Sequence, residues 1–256
     1  MILSLTAFLS RSTNRISLQR FLKNMQRIKF SGLSNNALKI IAMVSMLIDH
    51  VGMQIFPQYK IFRIIGRLAF PIFSYMIAEG CFYTRNRKKN ILLMAGLGLG
   101  CQAVYTIVCH SFYMNILLTF SLSVITIFAI DEFIEKKNKV SLLCVSGVVL
   151  SVICVSLIFP VVFKENGFDI DYGFLGVLLP VAVYYSHNKT AKIISAAAVL
   201  VLMAFISGSI QFFSLLSIPL LMLYNGKRGK LNMKYVFYIF YPAHLVVIYL
   251  IDELLP

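Results

Sequence analysis

Asp49 and His50 stand side by side near the end of an apolar run, Leu38–Phe56, that is long enough to cross a bilayer. A charged residue near the centre of such a segment costs about 2.5–3.5 kcal/mol on insertion scales. Residues of this kind have either a partner that offsets the cost or a chemical task. Two other pairs raise the same question. Arg63 and Arg67 lie four apart in the next apolar run, and Tyr241 and His244 lie three apart in the last. Those spacings place each pair on one helical face. Asp49 and His50, being adjacent, point about 100° apart, so the carboxylate is badly placed to orient the imidazole. The reading is a division of labour, with Asp49 turned toward the arginines and His50 toward a cavity.

Each residue also has a plain structural reading. Asp49 can be no more than the ion-pair partner of Arg63 or Arg67, and Arg63 can snorkel to the surface. His50 can be a packing histidine, and His244 can be satisfied by carbonyls freed where Pro242 kinks its helix. The chemical reading is a general base, because neutral imidazole is the side chain best poised for proton transfer near pH 7. Two histidines with no third ligand at matched spacing make no metal site. His110 and His187 fall in loops and read as ordinary.

The elements that must hold these residues follow from composition. The chain has 256 residues, 59% of them apolar and 13% charged, with a mean hydropathy of +0.82. This excludes an ordinary soluble domain and indicates an all-α, polytopic membrane protein. Nine apolar segments stand out, at 36–56, 61–83, 91–109, 115–133, 141–163, 172–186, 191–208, 211–224 and 235–251. They predict about nine transmembrane helices (eight to ten) in one domain, 33–256, with the sixth to eighth short enough to be tilted or broken. Cys81, Cys101, Cys109, Cys144 and Cys154 all fall in apolar segments without a Cys-x-x-Cys, and read as small buried hydrophobes. Residues 1–32 form a basic arm. It is disordered, an amphipathic surface helix, or partly untranslated if translation starts at Met25.

A net charge of +14 would suit nucleic acid, but its position argues otherwise. Lysine and arginine number six in the N-terminal arm, then four, three, two and four in the loops at 84–90, 135–139, 187–192 and 225–234. The alternate loops hold only Lys60 and Lys164, and carry Glu165, Asp169, Asp171, Asp252 and Glu253 instead. Short cytoplasmic loops are enriched in basic residues, so the N-terminus is expected inside, and the charge indicates topology in a cell membrane and no nucleic-acid partner. At ~1.5 Å per helical residue, Asp49 lies ~10 Å below the outer edge of a ~30 Å core. Arg63 and Arg67 share that depth, and His244 lies near the midplane. Asn115, Asp171, Tyr172 and Gln211 open their segments on the same side. With Arg63 and Tyr241 they are the expected substrate-binding residues, converging on a cavity that opens outward.

The residues also carry a resemblance. Leu38–Gly52 followed by Ile65–Phe73 resembles the TraX family. Ala78-Glu79-Gly80, Tyr83-Thr84-Arg85, Asp171-Tyr172-Gly173, Leu223–Gly229 and Phe240–Leu245 extend the match in the same order, over about residues 33 to 250. The family is named for a conjugative-plasmid acetylase that N-acetylates processed pilin. More distantly the chain is similar to the membrane acyltransferase-3 group, which carries a functional histidine on its first helix and arginines on its second. The resemblance implies acetyl transfer from acetyl-CoA to a secreted peptide, pilin or glycan at the outer side of the inner membrane.

Under that implication His50, Asp49, Arg67 and His244 are the catalytic candidates. His50 would be the base, Arg67 or Tyr241 with His244 the oxyanion partner, and Asp49 the counter-charge of the arginines. The nucleotide end of CoA would lie on the segments Arg85–Lys89 and Lys227–Lys230 at the inner side, with Glu79, Arg85, Lys88, Lys227 and Arg228 singled out, where Glu79 can equally pair with Arg85 or Lys88. Rival readings are an O-acetyltransferase acting on an envelope glycan, a small-solute transporter, and a non-catalytic assembly factor. A transporter is expected to show paired repeats, and none is visible in the sequence.

Overall fold

The computed structural model describes residues 32–230, 233 and 235–254. The basic arm, except for Gly32, lies outside the described residues, as do both candidate start positions. The described chain is a bundle of α-helices. Seven of these helices, the second and fifth counted through local irregularities, are long and apolar enough to cross a membrane, so the chain is a multi-pass membrane protein. Two further apolar helices are shorter. All nine expected segments are therefore helical, while the count of full-length spans is seven.

The first span is α1, Asn35–Gln54. The second is split into α2, Lys60–Gly66, and α3, Ala69–Tyr83. Pro71 has no N–H to give the Arg67 carbonyl four residues earlier, which weakens the helix where it breaks. Next come α4, Arg87–Cys109, and α5, Ile116–Lys136. Then α6, Lys139–Ile153, continues through a π-turn at Cys154–Ile158 into the short α7, Phe159–Val162. The sixth segment is α8, Gly173–Tyr184, ~18 Å long and so too short to span by itself. The seventh, expected to be short, is a full-length α9, Lys189–Ser207. Gly208, at φ +92°, ends it and opens a 3₁₀ helix, Ser209–Leu216, followed by α10, Ser217–Met222. The last span is α11, Val236–Leu254, with Pro242 inside it.

Helix starts are marked in the sequence. Ser34, Asn86, Asn115, Asn138 and Asn188 each accept the backbone N–H of the second or third residue of their helix, which satisfies donors that a helix N-terminus otherwise leaves open. The core lies where α3, α5 and α8 meet, around Ile72, Tyr75, Phe120, Ile127 and Leu179. Hydroxyls stitch it together. Ser123 of α5 donates to the Val177 carbonyl of α8 at 2.9 Å, and Thr119 donates to the Asp171 carbonyl at 2.9 Å. Such bonds replace those that water cannot supply inside a bilayer.

The α4–α5 loop and the loop before α8 pair as two short parallel strands, β1 (Tyr113–Met114) and β2 (Asp169–Ile170). The pairing fixes Asp171 beside Tyr113. The five cysteines are free. Cys81 is buried as expected, but Cys109 and Cys144 are exposed on the outside of the bundle and Cys101 and Cys154 are half-buried. In a bilayer that outer surface meets hydrocarbon, so an apolar segment need not be a buried one.

Candidate functional site

Two glycines let α1 and α2 approach closely. A β-carbon on Gly66 would lie 2.0 Å from Asp49 Oδ1, and one on Gly52 would lie 2.1 Å from the Phe62 β-carbon. This closeness places the Asp49 carboxylate between both arginines. Arg63 Nη1 donates to Asp49 Oδ2 at 2.7 Å, and Arg67 Nη2 donates to Oδ2 at 3.1 Å and to Oδ1 at 3.3 Å. The Asp49 and Arg67 side chains are 14% and 12% exposed, against 30% for Arg63. Arg67 is therefore the deeper partner, and it sits where Pro71 interrupts the helix.

Arg67 also reaches other elements. Its Nη1 donates to Gln211 Oε1 of the 3₁₀ helix at 3.4 Å, and its guanidinium stands 5.7 Å above the Tyr172 ring. Tyr172, at φ +61°, precedes α8 and stacks on Phe70 of α3 with ring centroids 3.8 Å apart. Asp171 accepts the Tyr113 hydroxyl at 3.1 Å. Burial pushes the Asp171 carboxyl up to about 6, against the opposing pull of the Tyr113 hydroxyl and the Arg67 guanidinium. Asp49, Arg63, Arg67, Tyr172 and Gln211 thus form one polar cluster with Asp171 beside it. Asn115 does not belong to it. Its side chain caps α5 and donates to the Gly98 carbonyl and to Gln102 Oε1, a joint between α4 and α5.

The histidines meet. His50 and His244 lie edge to face with centroids 5.1 Å apart. His244 is buried, and Phe240 stacks on it at 4.8 Å. His244 Nδ1 lies 2.8 Å from the Phe240 carbonyl oxygen. A carbonyl only accepts, so Nδ1 carries the proton and Nε2 of the neutral ring carries the lone pair. Four buried side-chain polar atoms have no hydrogen-bond partner among the described residues: Arg67 Nε, Ser74 Oγ, Gln211 Nε2 and His244 Nε2. Three of the four belong to expected site residues.

A basic cleft of about 840 Å³ opens at the other end of α1, a size typical of ligand sites. Lys39, Glu79, Arg85, Lys89, Tyr224 and Arg228 are among its lining residues. Glu79 pairs with Lys192 of α9, rather than with Arg85 or Lys88 as its sequence neighbourhood suggests. Of the expected nucleotide-binding residues, Glu79, Arg85 and Arg228 line the cleft, while Lys88 and Lys227 do not. Adjacent helical residues point ~100° apart, so the wall takes Lys89 in place of Lys88. The loop after α10 is held in place because the Lys227 and Arg228 carbonyls accept the Asn35 and Asn36 N–H groups at 2.8 and 3.2 Å, which caps α1 from outside the helix.

Cleft and histidines are connected along one seam. Lys39, Met43, Met46 and His50 share a face of α1, and Phe237, Tyr241, His244 and Ile248 share a face of α11. A smaller cavity of about 110 Å³ adjoins the cleft, lined by Lys39, Met76, Phe73 and Phe237 among others. From there the rings follow one another: Phe73 to Phe237 at 4.6 Å, Phe237 to Tyr241 at 6.3 Å, and Tyr241 to His244 at 5.7 Å. Lys39, Gly52 and Gly66 have no assigned role in the sequence reading. The signal for Lys39 is nonetheless present, since it lies on the His50 face of its helix.

The family model described as TraX protein matches residues 34–252. A protein of Dichelobacter nodosus named "Probable fimbrial assembly protein FimC, serogroup H1" is 25% identical over 246 residues, covering 82% of this chain and 92% of its own. An uncharacterised protein of Rickettsia prowazekii (strain Madrid E) is 35% identical over 83 residues, 32% of each chain. No solved structure matches. With the family model spanning nearly the whole described bundle, the chain belongs to the TraX family.

Proposed function

We propose that this protein is an acyltransferase of the inner membrane, which moves an acetyl group from acetyl-CoA to the N-terminal amine of a secreted or pilin-like peptide. One observation carries the reading: a basic, ligand-sized cleft and a pair of facing histidines lie at two levels of one bundle, joined by an aromatic seam. The rise from Lys39 to His50 is ~16 Å, so a donor anchored in the cleft must be long and thin to reach the histidines. Acetyl-CoA has that shape. Its phosphates would lie among Lys39, Arg85, Lys89 and Arg228, and its pantetheine arm along Phe73 and Phe237. The basic loops support a cytoplasmic position for the cleft, which would leave the arginine–histidine site to an acceptor arriving from outside.

In the reaction the acceptor nitrogen attacks the thioester carbonyl carbon. A C–N bond forms, the C–S bond breaks, and the amine proton passes to a histidine, which returns it to the departing thiolate. The sequence singles out His50 as the base. The geometry extends that role to the pair, because the Phe240 carbonyl fixes the tautomer that leaves His244 Nε2 free to accept. An α-amine, with a pKa near 8, needs only a modest base. Arg67, held by Asp49, supplies positive charge for the developing oxyanion. The fimbrial name of the Dichelobacter relative supports a pilin-like acceptor.

The test is proteoliposomes holding the full chain, labelled acetyl-CoA, and a panel of pilin-derived peptides with free or blocked N-termini. Label on the free amine alone is the expected result. Label on an added envelope glycan instead would make the protein an O-acetyltransferase, and uptake of a solute without any transfer would make it a transporter.

A further inference from the structure

We infer that Lys39 holds the phosphate from which the donor's pantetheine arm begins, and so sets how far the thioester reaches toward His50. The inference deepens the acyltransferase reading above and rests on it for the donor's identity. It makes Lys39 a specificity-determining residue, one that separates phosphopantetheine compounds from pantetheine ones.

Lys39 lines both the basic cleft and the smaller cavity. Arg85, Lys89 and Arg228 line the cleft alone, so Lys39 is the one cation at the junction among the described residues. Beyond it the walls turn mostly apolar, with Phe73, Ile77, Met94 and Phe237. The smaller cavity, of about 110 Å³, takes a slim chain, whereas a nucleotide needs the cleft of about 840 Å³. A phosphate that followed the chain between apolar walls would lose its water without a partner. The charged end of the ligand therefore stops where Lys39 stands.

The Lys39 ammonium is ready for that anion. It has no hydrogen-bond or ion-pair partner among the described residues, and the charge acting on it is that of Arg228, a second cation. Glu79, the one acid among the described residues of the cleft wall, is taken by Lys192 from α9. Neighbouring cations without an acid between them favour an arriving anion.

The spacing along α1 matches the arm. Lys39 and His50 are eleven residues apart on one face, a rise of ~16 Å. Both side chains tilt toward the start of the helix, which preserves that separation. About 13 bonds join phosphorus to sulfur in phosphopantetheine, and at ~1.2 Å per bond an extended chain of that length reaches ~16 Å. With its phosphate on Lys39, the extended arm brings the thioester to the level of the histidine pair.

The test measures binding of 4′-phosphopantetheine and of pantetheine to the full chain in detergent. The wild type should bind the phosphorylated compound at least about tenfold more tightly, as one charge-assisted contact predicts. Lys39→Met should bring the two within about twofold, and Lys39→Arg, which keeps the charge, should retain at least about threefold. Lys89→Ala should weaken CoA but leave the ratio between the two short compounds unchanged. With acetyl-CoA, Lys39→Met should also lower kcat by at least about tenfold, because the arm loses the anchor that positions it. Equal wild-type affinity for the two compounds, which needs no variant to detect, would overturn the inference. So would an undiminished ratio or a wild-type kcat in folded Lys39→Met. A wild type that prefers the phosphorylated compound through Lys39 yet transfers no acetyl group would keep the phosphate site and remove the acyltransferase reading.

Discussion

Gly66 lies so close to the Asp49 carboxylate that a β-carbon there would come 2.0 Å from Oδ1. The ion-pair cluster thus depends on an absent side chain. Gly66→Ala should force the carboxylate off the arginines and destabilise the protein by ~1–3 kcal/mol, the usual cost of overpacking. Thermal unfolding in detergent measures it, and Gly80→Ala, which meets nothing within 4 Å, is the control expected to leave stability near wild type.

Removing Asp49 should cost more than removing either arginine. Asp49→Ala strands two guanidiniums in an apolar bundle, and breaking a buried pair from one side typically costs ~3–5 kcal/mol. Arg67→Ala should cost more than Arg63→Ala, because Arg67 is the more deeply buried of the two. Chemical denaturation of the three variants gives the order.

The basic cleft predicts which lysine matters. Lys89→Ala should raise KM for acetyl-CoA severalfold with kcat little changed, the pattern expected when binding is lost equally from ground and transition states. Lys88→Ala should have a smaller effect, because its side chain does not line the cleft. Steady-state kinetics with varied acetyl-CoA separates the two.

Much of this was readable before any fold was known. Asp49, Arg63 and Arg67 announced each other because charges in apolar runs need partners and i, i+4 spacing fixes a face. The nine segments followed from hydropathy. The missed features are non-local or rotational. Glu79 finds Lys192 across the bundle, 113 residues away, which no local pattern encodes. The choice of Lys89 over Lys88 turns on one residue of helix phase. Asn115 opens its segment, a place that suited a binding role, and only the hydrogen bonds to α4 and to its own helix start show it to be a joint and a cap.

Asp171 should make stability pH-dependent. Its carboxyl is raised to about 6 in the folded protein, so the folded state holds the proton more tightly than the unfolded chain, whose aspartates titrate near 3.9. Stability from this group is full below ~4, falls as pH rises toward 6, and is flat above. Asp171→Asn should abolish that slope, as read by unfolding midpoints at pH 4, 5, 6 and 7.

The histidine pair is the centre of the account. The direct measurement is labelled acetyl transfer to a pilin-type amine by proteoliposomes of the wild type, His50→Ala and His244→Ala, each checked for folding. Transfer by the wild type and a fall of roughly 10²–10⁴ in both variants are expected. Undiminished transfer by the folded variants, or none by a folded wild type, would contradict it.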